Sequence, residues 1–64
     1  MKKLDFEKHL KDNDCYLHRE GGNHAIWKNR INNKLSSVPR HGELSNILCK
    51  IICKQLDIKM PNKF

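Results

Sequence analysis

The residue in this sequence best placed to do chemistry is a histidine that follows two glycines and an asparagine, Gly21-Gly22-Asn23-His24. Two glycines permit positive φ at low steric cost and asparagine suits a turn, so the spacing predicts a tight hairpin with His24 at its exit. An imidazole accepts or donates a proton near neutral pH. RNA carries its own nucleophile, the 2′-hydroxyl beside each scissile phosphate. A ribonuclease can therefore be minimal, needing one proton-transfer group and cations for the phosphate. A well-placed general acid or base contributes about 10²–10⁴-fold. From local sequence alone, a histidine that only bonds a turn amide is the commoner outcome.

His41 is the auxiliary candidate, read either as a second proton-transfer group or phosphate contact, or as a residue bonding backbone groups where a helix begins. Arg40 beside it could hold a phosphate in its planar fork, or simply be solvated. Lys28, Arg30 and Lys34 surround a second hairpin and could track an RNA backbone through salt-sensitive contacts; a basic tip serves solubility equally well. Trp27 could stack on a base, but a single Trp in a short chain is more often core. His9 and His18 have weaker claims, although His18 shares a strand face with Tyr16. Cys49 and Cys53 stand at i, i+4, which is half of a zinc site at best, and no second pair accompanies them. All three cysteines, Cys15 included, read as small buried or border residues. Neither metal nor cofactor is expected. No glycine-rich phosphate loop, paired-carboxylate site or nucleophile triad is present.

The elements that must hold these residues can be read in order. Residues 3–13 form a moderate helix signal with Phe6 and Leu10 at i, i+4, ended by Asn13-Asp14. Residues 15–19 alternate as a strand, and residues 24–29 as a second one. In the second, His24, Ile26 and Lys28 share one face while Ala25, Trp27 and Asn29 share the other. Arg30-Ile31-Asn32-Asn33 reads as the next hairpin loop, and a third strand over residues 35–38 stops at Pro39. Leu44, Ile47, Leu48, Ile51 and Ile52 fall on one helical stripe, predicting a helix from about Glu43 to Leu56 with Gly42 or Ser45 before it. Two amphipathic helices need one apolar surface between them, so both should cover one face of a three-stranded antiparallel sheet. The other face, or its rim, is left for a partner. In such a meander the start of the second strand and the end of the third lie on one sheet edge, so His24 and His41 could approach one another.

Sixty-four residues make one domain, expected over 1–64 with 59–64 as a frayed tail. A chain this short buries only about 60% of its unfolded surface, so any catalysis must occupy a surface groove. The net charge of +6, from 13 Lys+Arg against 7 Asp+Glu, favours a polyanionic partner, nucleic acid or an acidic protein. An odd cysteine count and a charged, non-apolar start predict a reducing cytoplasm. No stretch approaches the roughly 20 apolar residues that span a membrane.

The chain resembles the HicA toxin family of bacterial toxin–antitoxin systems. The resemblance is carried by Arg19-Glu20-Gly21-Gly22-Asn23-His24 with Ile26-Trp27 after it, by Val38-Pro39-Arg40-His41, and by the closing Ile52-Cys53-Lys54-Gln55-Leu56-Asp57-Ile58. It covers about residues 2–58. It implies an α+β, double-stranded-RNA-binding-domain-like α-β-β-β-α fold, ribosome-independent mRNA cleavage and a HicB antitoxin as neutralising partner. The family's catalytic histidine follows Gly-Ser, which by position falls on His24. Here Gly22-Asn23 replaces that pair, and Asn keeps a turn residue while removing a hydroxyl. The combined expectation is a metal-independent endoribonuclease, monomeric when free and hetero-oligomeric with its antitoxin. The alternatives are a non-catalytic RNA-binding module and a protein-interaction domain with a basic face.

Overall fold

The computed structural model describes residues 1–40 and 42–61. Its element order is α1 (Lys3–Asp12), β1 (Cys15–Glu20), β2 (His24–Asn29), β3 (Leu35–Pro39) and α2 (Asn46–Leu56). This is the α-β-β-β-α arrangement expected, with an open antiparallel sheet in the order β1-β2-β3.

Helix α1 buries Phe6 and Leu10, one turn apart, and pairs Lys3 with Glu7 at 3.3 Å across the same spacing. Its start lacks a side-chain cap, and the Lys3 amide donates instead to Gly42 O at 3.0 Å. The residues just before α2 pair with the N-terminus in the same way, with the Leu44 amide donating to Met1 O at 2.8 Å and a bridge between Lys2 and Glu43. That pairing corrects the expected start of α2. Residues 43 and 44 are extended, and the helix begins at Asn46, where the Ser45 hydroxyl accepts from the Leu48 amide at 3.1 Å.

The core-facing stripe of α2 is also rotated from the expected one. Ile47 is 72% exposed and Ile51 48%, whereas Cys49, Ile52, Cys53 and Leu56 are buried. Those four follow the i, i+3, i+4, i+7 pattern, with the two cysteines acting as small apolar residues. Leu44 is buried too, but from the extended segment rather than the helix.

Burial alternates along β2: Ala25, Trp27 and Asn29 face the helices, while His24, Ile26 and Lys28 lie on the other side. Trp27 is 2% exposed, so it is core and offers no ring to a base. One apolar cluster joins both helices to this single face of the sheet. Asn29 fastens its far end. Its Nδ2 donates to Leu56 O at 3.0 Å, its Oδ1 accepts from the Ile31 amide at 2.9 Å, and Asn32 Nδ2 adds a second donor to Leu56 O at 3.1 Å. The Leu56 carbonyl at the end of α2 is thereby satisfied by the hairpin beneath it. Replacing Asn29 by Leu should cost about 1–3 kcal/mol, because the Ile31 amide loses its partner and a buried bond is lost. A urea melt followed by circular dichroism would read this as a lower midpoint with unchanged slope.

Two further expectations change. No described glycine has positive φ; left-handed backbone occurs at Asp14, Asn33 and Asp57 instead. Three residues, Gly21 to Asn23, link β1 to β2, so the bend is not forced into a two-residue turn. A methyl group added at Gly22 would meet nothing within 4 Å. The expected frayed tail is docked through residue 61. Asp57 ends α2 in the left-handed region, Lys59 O accepts from His9 Nε2 at 2.8 Å, Met60 packs on the core and Pro61 is buried. Residues 62–64 lie outside the described residues.

Candidate functional site

The open face of the sheet carries the residues that could meet a ligand. His24 begins β2 on this face, exposed, opposite Pro39 of β3. Its own carbonyl accepts from the Gly21 amide at 3.0 Å, which closes the connection behind it. Arg40 clamps that connection from the β3 side. The Arg40 amide donates to Asn23 O at 3.1 Å and its guanidinium to Gly22 O at 3.3 Å, with Glu20 at 3.8 Å. The main chain around His24 is thus held at both ends, while the imidazole projects toward solvent.

A β-bulge decides what stands next to it. Leu17 pairs with Trp27 and Arg19 with Ile26, so His18 is the extra residue. The bulge turns His18 and Arg19 to the same side, where both line a shallow groove of about 770 Å³ with Ile26 and Ser37. Leu17 and Glu20 face the helices and line a separate crevice with Trp27. Arg19 therefore sits diagonally across from His24, about 7–8 Å away between Cα atoms for such a pair. His24 does not line the groove; it stands at the groove's end, two residues beyond Ile26 along β2 and past the Glu20–Ala25 pair.

The model of the HicA toxin family, described as the HicA toxin of bacterial toxin–antitoxin systems, matches residues 5–58. The chain belongs to the HicA toxin family. No curated protein and no solved structure matches it. Membership makes it the toxin component of a toxin–antitoxin system, with an antitoxin as its partner. The matched span of this HicA chain runs from α1 to just past α2, and so includes His24, Arg19 and Arg40.

Of the residues singled out in this HicA sequence, the fold gathers His24, Gly21, Gly22, Asn23 and Arg40 at one end of the sheet. Lys28 shares the face of His24 but lies four residues along β2, about 13 Å away. Arg30 and Lys34 are at the opposite hairpin, where Arg30 pairs with Asp14 at 2.7 Å and Lys34 approaches Asp57 at 3.8 Å. His41 lies outside the described residues. Arg19 is the residue that sequence reading passed over as a site, because strict alternation gives no hint of a bulge. Among the described residues, no three His, Cys, Asp or Glu side chains are grouped to hold a metal ion. No described helix is long and apolar enough to cross a membrane.

The three cysteines of the HicA chain sit in the core, all free and buried, as expected. Burial pushes each thiol up. Cys53 reaches about 11, through burial first and then its neighbours Cys49 and Cys15. A raised thiol holds its proton in the folded chain at pH values where the unfolded chain has lost it. The fold therefore keeps this contribution below about pH 9 and loses it as pH rises toward 11. Alkylation with iodoacetamide at pH 8 should label none of the three thiols in the native protein and all three in guanidinium, read by intact mass.

Proposed function

We propose that this chain is a metal-independent endoribonuclease that cleaves mRNA, with His24 moving a proton as a 2′-hydroxyl attacks the adjacent phosphate. The observation that carries the reading is His24 itself, exposed on a firmly tied turn, with the Arg19 guanidinium on the neighbouring rung of the same face. The chemistry requires little more. The 2′-oxygen bonds to phosphorus, the 5′-oxygen leaves, and the products are a 2′,3′-cyclic phosphate and a free 5′-hydroxyl. His24 takes the proton from the nucleophile or gives one to the leaving group. Arg19 shares the face of His24, where it can offset phosphate charge, whereas the Arg40 side chain lines the helix-side crevice with Glu20 and holds the turn.

A HicB-type antitoxin would neutralise the chain by covering this end of the sheet, since acidic groups mimic phosphates, and partner binding and cleavage should exclude one another. The free chain acts as a monomer in the cytoplasm, where mRNA is available and the buried thiols stay reduced.

Cleavage of a labelled RNA oligonucleotide by the purified chain, in EDTA, tests the reading. Cyclic-phosphate ends are expected, and a substrate with 2′-deoxy nucleotides throughout should stay intact. A requirement for divalent metal, or cleavage of the deoxy substrate, would overturn the mechanism. Binding without cleavage would leave a non-catalytic RNA-binding module.

A further inference from the structure

Beyond His24, the sheet face offers a surface that the cleavage reaction does not by itself require. Tyr16 pairs with Lys28 across the strands and so shares the open face, where it is 41% exposed. Its ring meets His18 edge-on, with centroids 6.3 Å apart and planes at 74°. In that geometry one ring can stack on a base while the other braces it. Ile26 lies half-buried between the two outer strands, and Leu35, 51% exposed, borders the groove on β3.

The strand residues of this face carry only positive charge. Arg19 and Lys28 project from it and none of its strand residues is Asp or Glu, while Lys34 lines the groove with the exposed Asp57 carboxylate 3.8 Å away. Glu20, the acid of β1, points to the helix side. Such a face suits a polyanion whose flat apolar groups are exposed. A duplex hides its bases in the stack and offers an aromatic platform only phosphates and sugars, whereas a single strand presents both backbone and base faces. The dimensions agree. Strand β2 has six residues, about 17 Å from end to end, and sheets that read single-stranded RNA stack about two or three bases.

We infer that the open sheet face is a platform for single-stranded RNA, with Tyr16 stacking on a base, His18 bracing its ring, and Arg19, Lys28 and Lys34 tracking the backbone toward His24. The inference rests on the cleavage reading only for its direction, since the platform leads to the histidine. It makes this chain selective for unpaired RNA, and Tyr16 a specificity-determining residue outside the reacting atoms.

The test uses His24→Ala protein, so that no substrate is consumed, and fluorescence anisotropy with a labelled 10-nucleotide RNA and a labelled duplex of matching sequence. The single strand should bind tighter than the duplex. Tyr16→Ala should weaken single-strand binding roughly 5- to 150-fold, the loss of one stacked base, and Tyr16→Phe should keep it. Arg19→Ala and Lys28→Ala should each flatten the logarithmic salt dependence by about 0.7. Lys50→Ala, exposed on the outer side of α2, serves as the control and should change nothing. Equal affinity for the duplex, no effect of Tyr16→Ala, or no RNA binding at all would overturn the platform. Its failure is separable from failure of the cleavage reading. Cleavage by the His24-intact chain with KM unchanged on Tyr16→Ala removes the platform alone. Tyr16-dependent binding by a wild type that never cuts removes catalysis alone.

Discussion

His24→Ala should lower the single-turnover rate of RNA cleavage by about 10²–10⁴-fold, the contribution of one positioned proton-transfer group. The fold should survive. The imidazole is exposed, contributes nothing to the core cluster, and only the main chain of His24 takes part in the turn. Circular dichroism spectra and melting temperature should therefore match wild type within about 2 °C, since exposed substitutions of this kind are nearly neutral. Expression of wild type should arrest growth and expression of the variant should not. Equal cleavage by both proteins would leave His24 a turn residue. Retained RNA affinity in the variant would assign the loss to chemistry rather than to binding.

The largest stability effect should come from Trp27. Its side chain fills the centre of the sheet's covered face at 2% exposure, and truncation to alanine should cost about 3–5 kcal/mol. A 64-residue domain holds roughly 3–10 kcal/mol in total, so Trp27→Ala should be largely unfolded at 37 °C. Trp27→Phe should behave differently. The indole Nε1 is buried and has no hydrogen-bond partner among the described residues. Removing that N–H relieves a desolvation cost of about 1–3 kcal/mol, which offsets much of the lost volume. Urea midpoints by far-ultraviolet circular dichroism should place Trp27→Phe within about 1.5 kcal/mol of wild type. A phenylalanine variant as unstable as the alanine one would show that the indole N–H is satisfied.

The sequence made the architecture legible through β2. His24, Ile26 and Lys28 alternate so cleanly with Ala25, Trp27 and Asn29 that the covered and open faces follow from it directly. The hairpin loop at residues 30–33 was equally plain, because Asn33 takes the left-handed backbone that asparagine tolerates. The face of α2 was not legible. Beside the shared Ile52, Ile47, Leu48 and Ile51 compete with Cys49, Cys53 and Leu56 for the core, and the β-branched and leucine stripe is the more exposed one. What decides between them is the pairing of residues 43 and 44 with the N-terminus, a long-range contact that sets where the helix begins. At the candidate site, His24 and Arg40 were visible as residue types near turns. Arg19 was hidden because its position depends on one unpaired residue in β1, which leaves no mark on the hydrophobic pattern.

That unpaired residue has a consequence for how genes of this kind can vary. Because Leu17 already sits opposite Trp27 and Arg19 opposite Ile26, an in-frame loss of the His18 codon would join two residues whose partners are adjacent on β2. The ladder would close without a frame slip, and every other side chain would keep its side of the sheet. Loss of the Arg19 codon would close the ladder in the same way, with His18 taking the rung opposite Ile26, whereas codon loss at Cys15 or Tyr16 would shift part of the strand against its partner. Positions 18 and 19 are thus where an alignment of homologous genes should tolerate a one-residue gap, a place where length can drift while the scaffold is inherited unchanged.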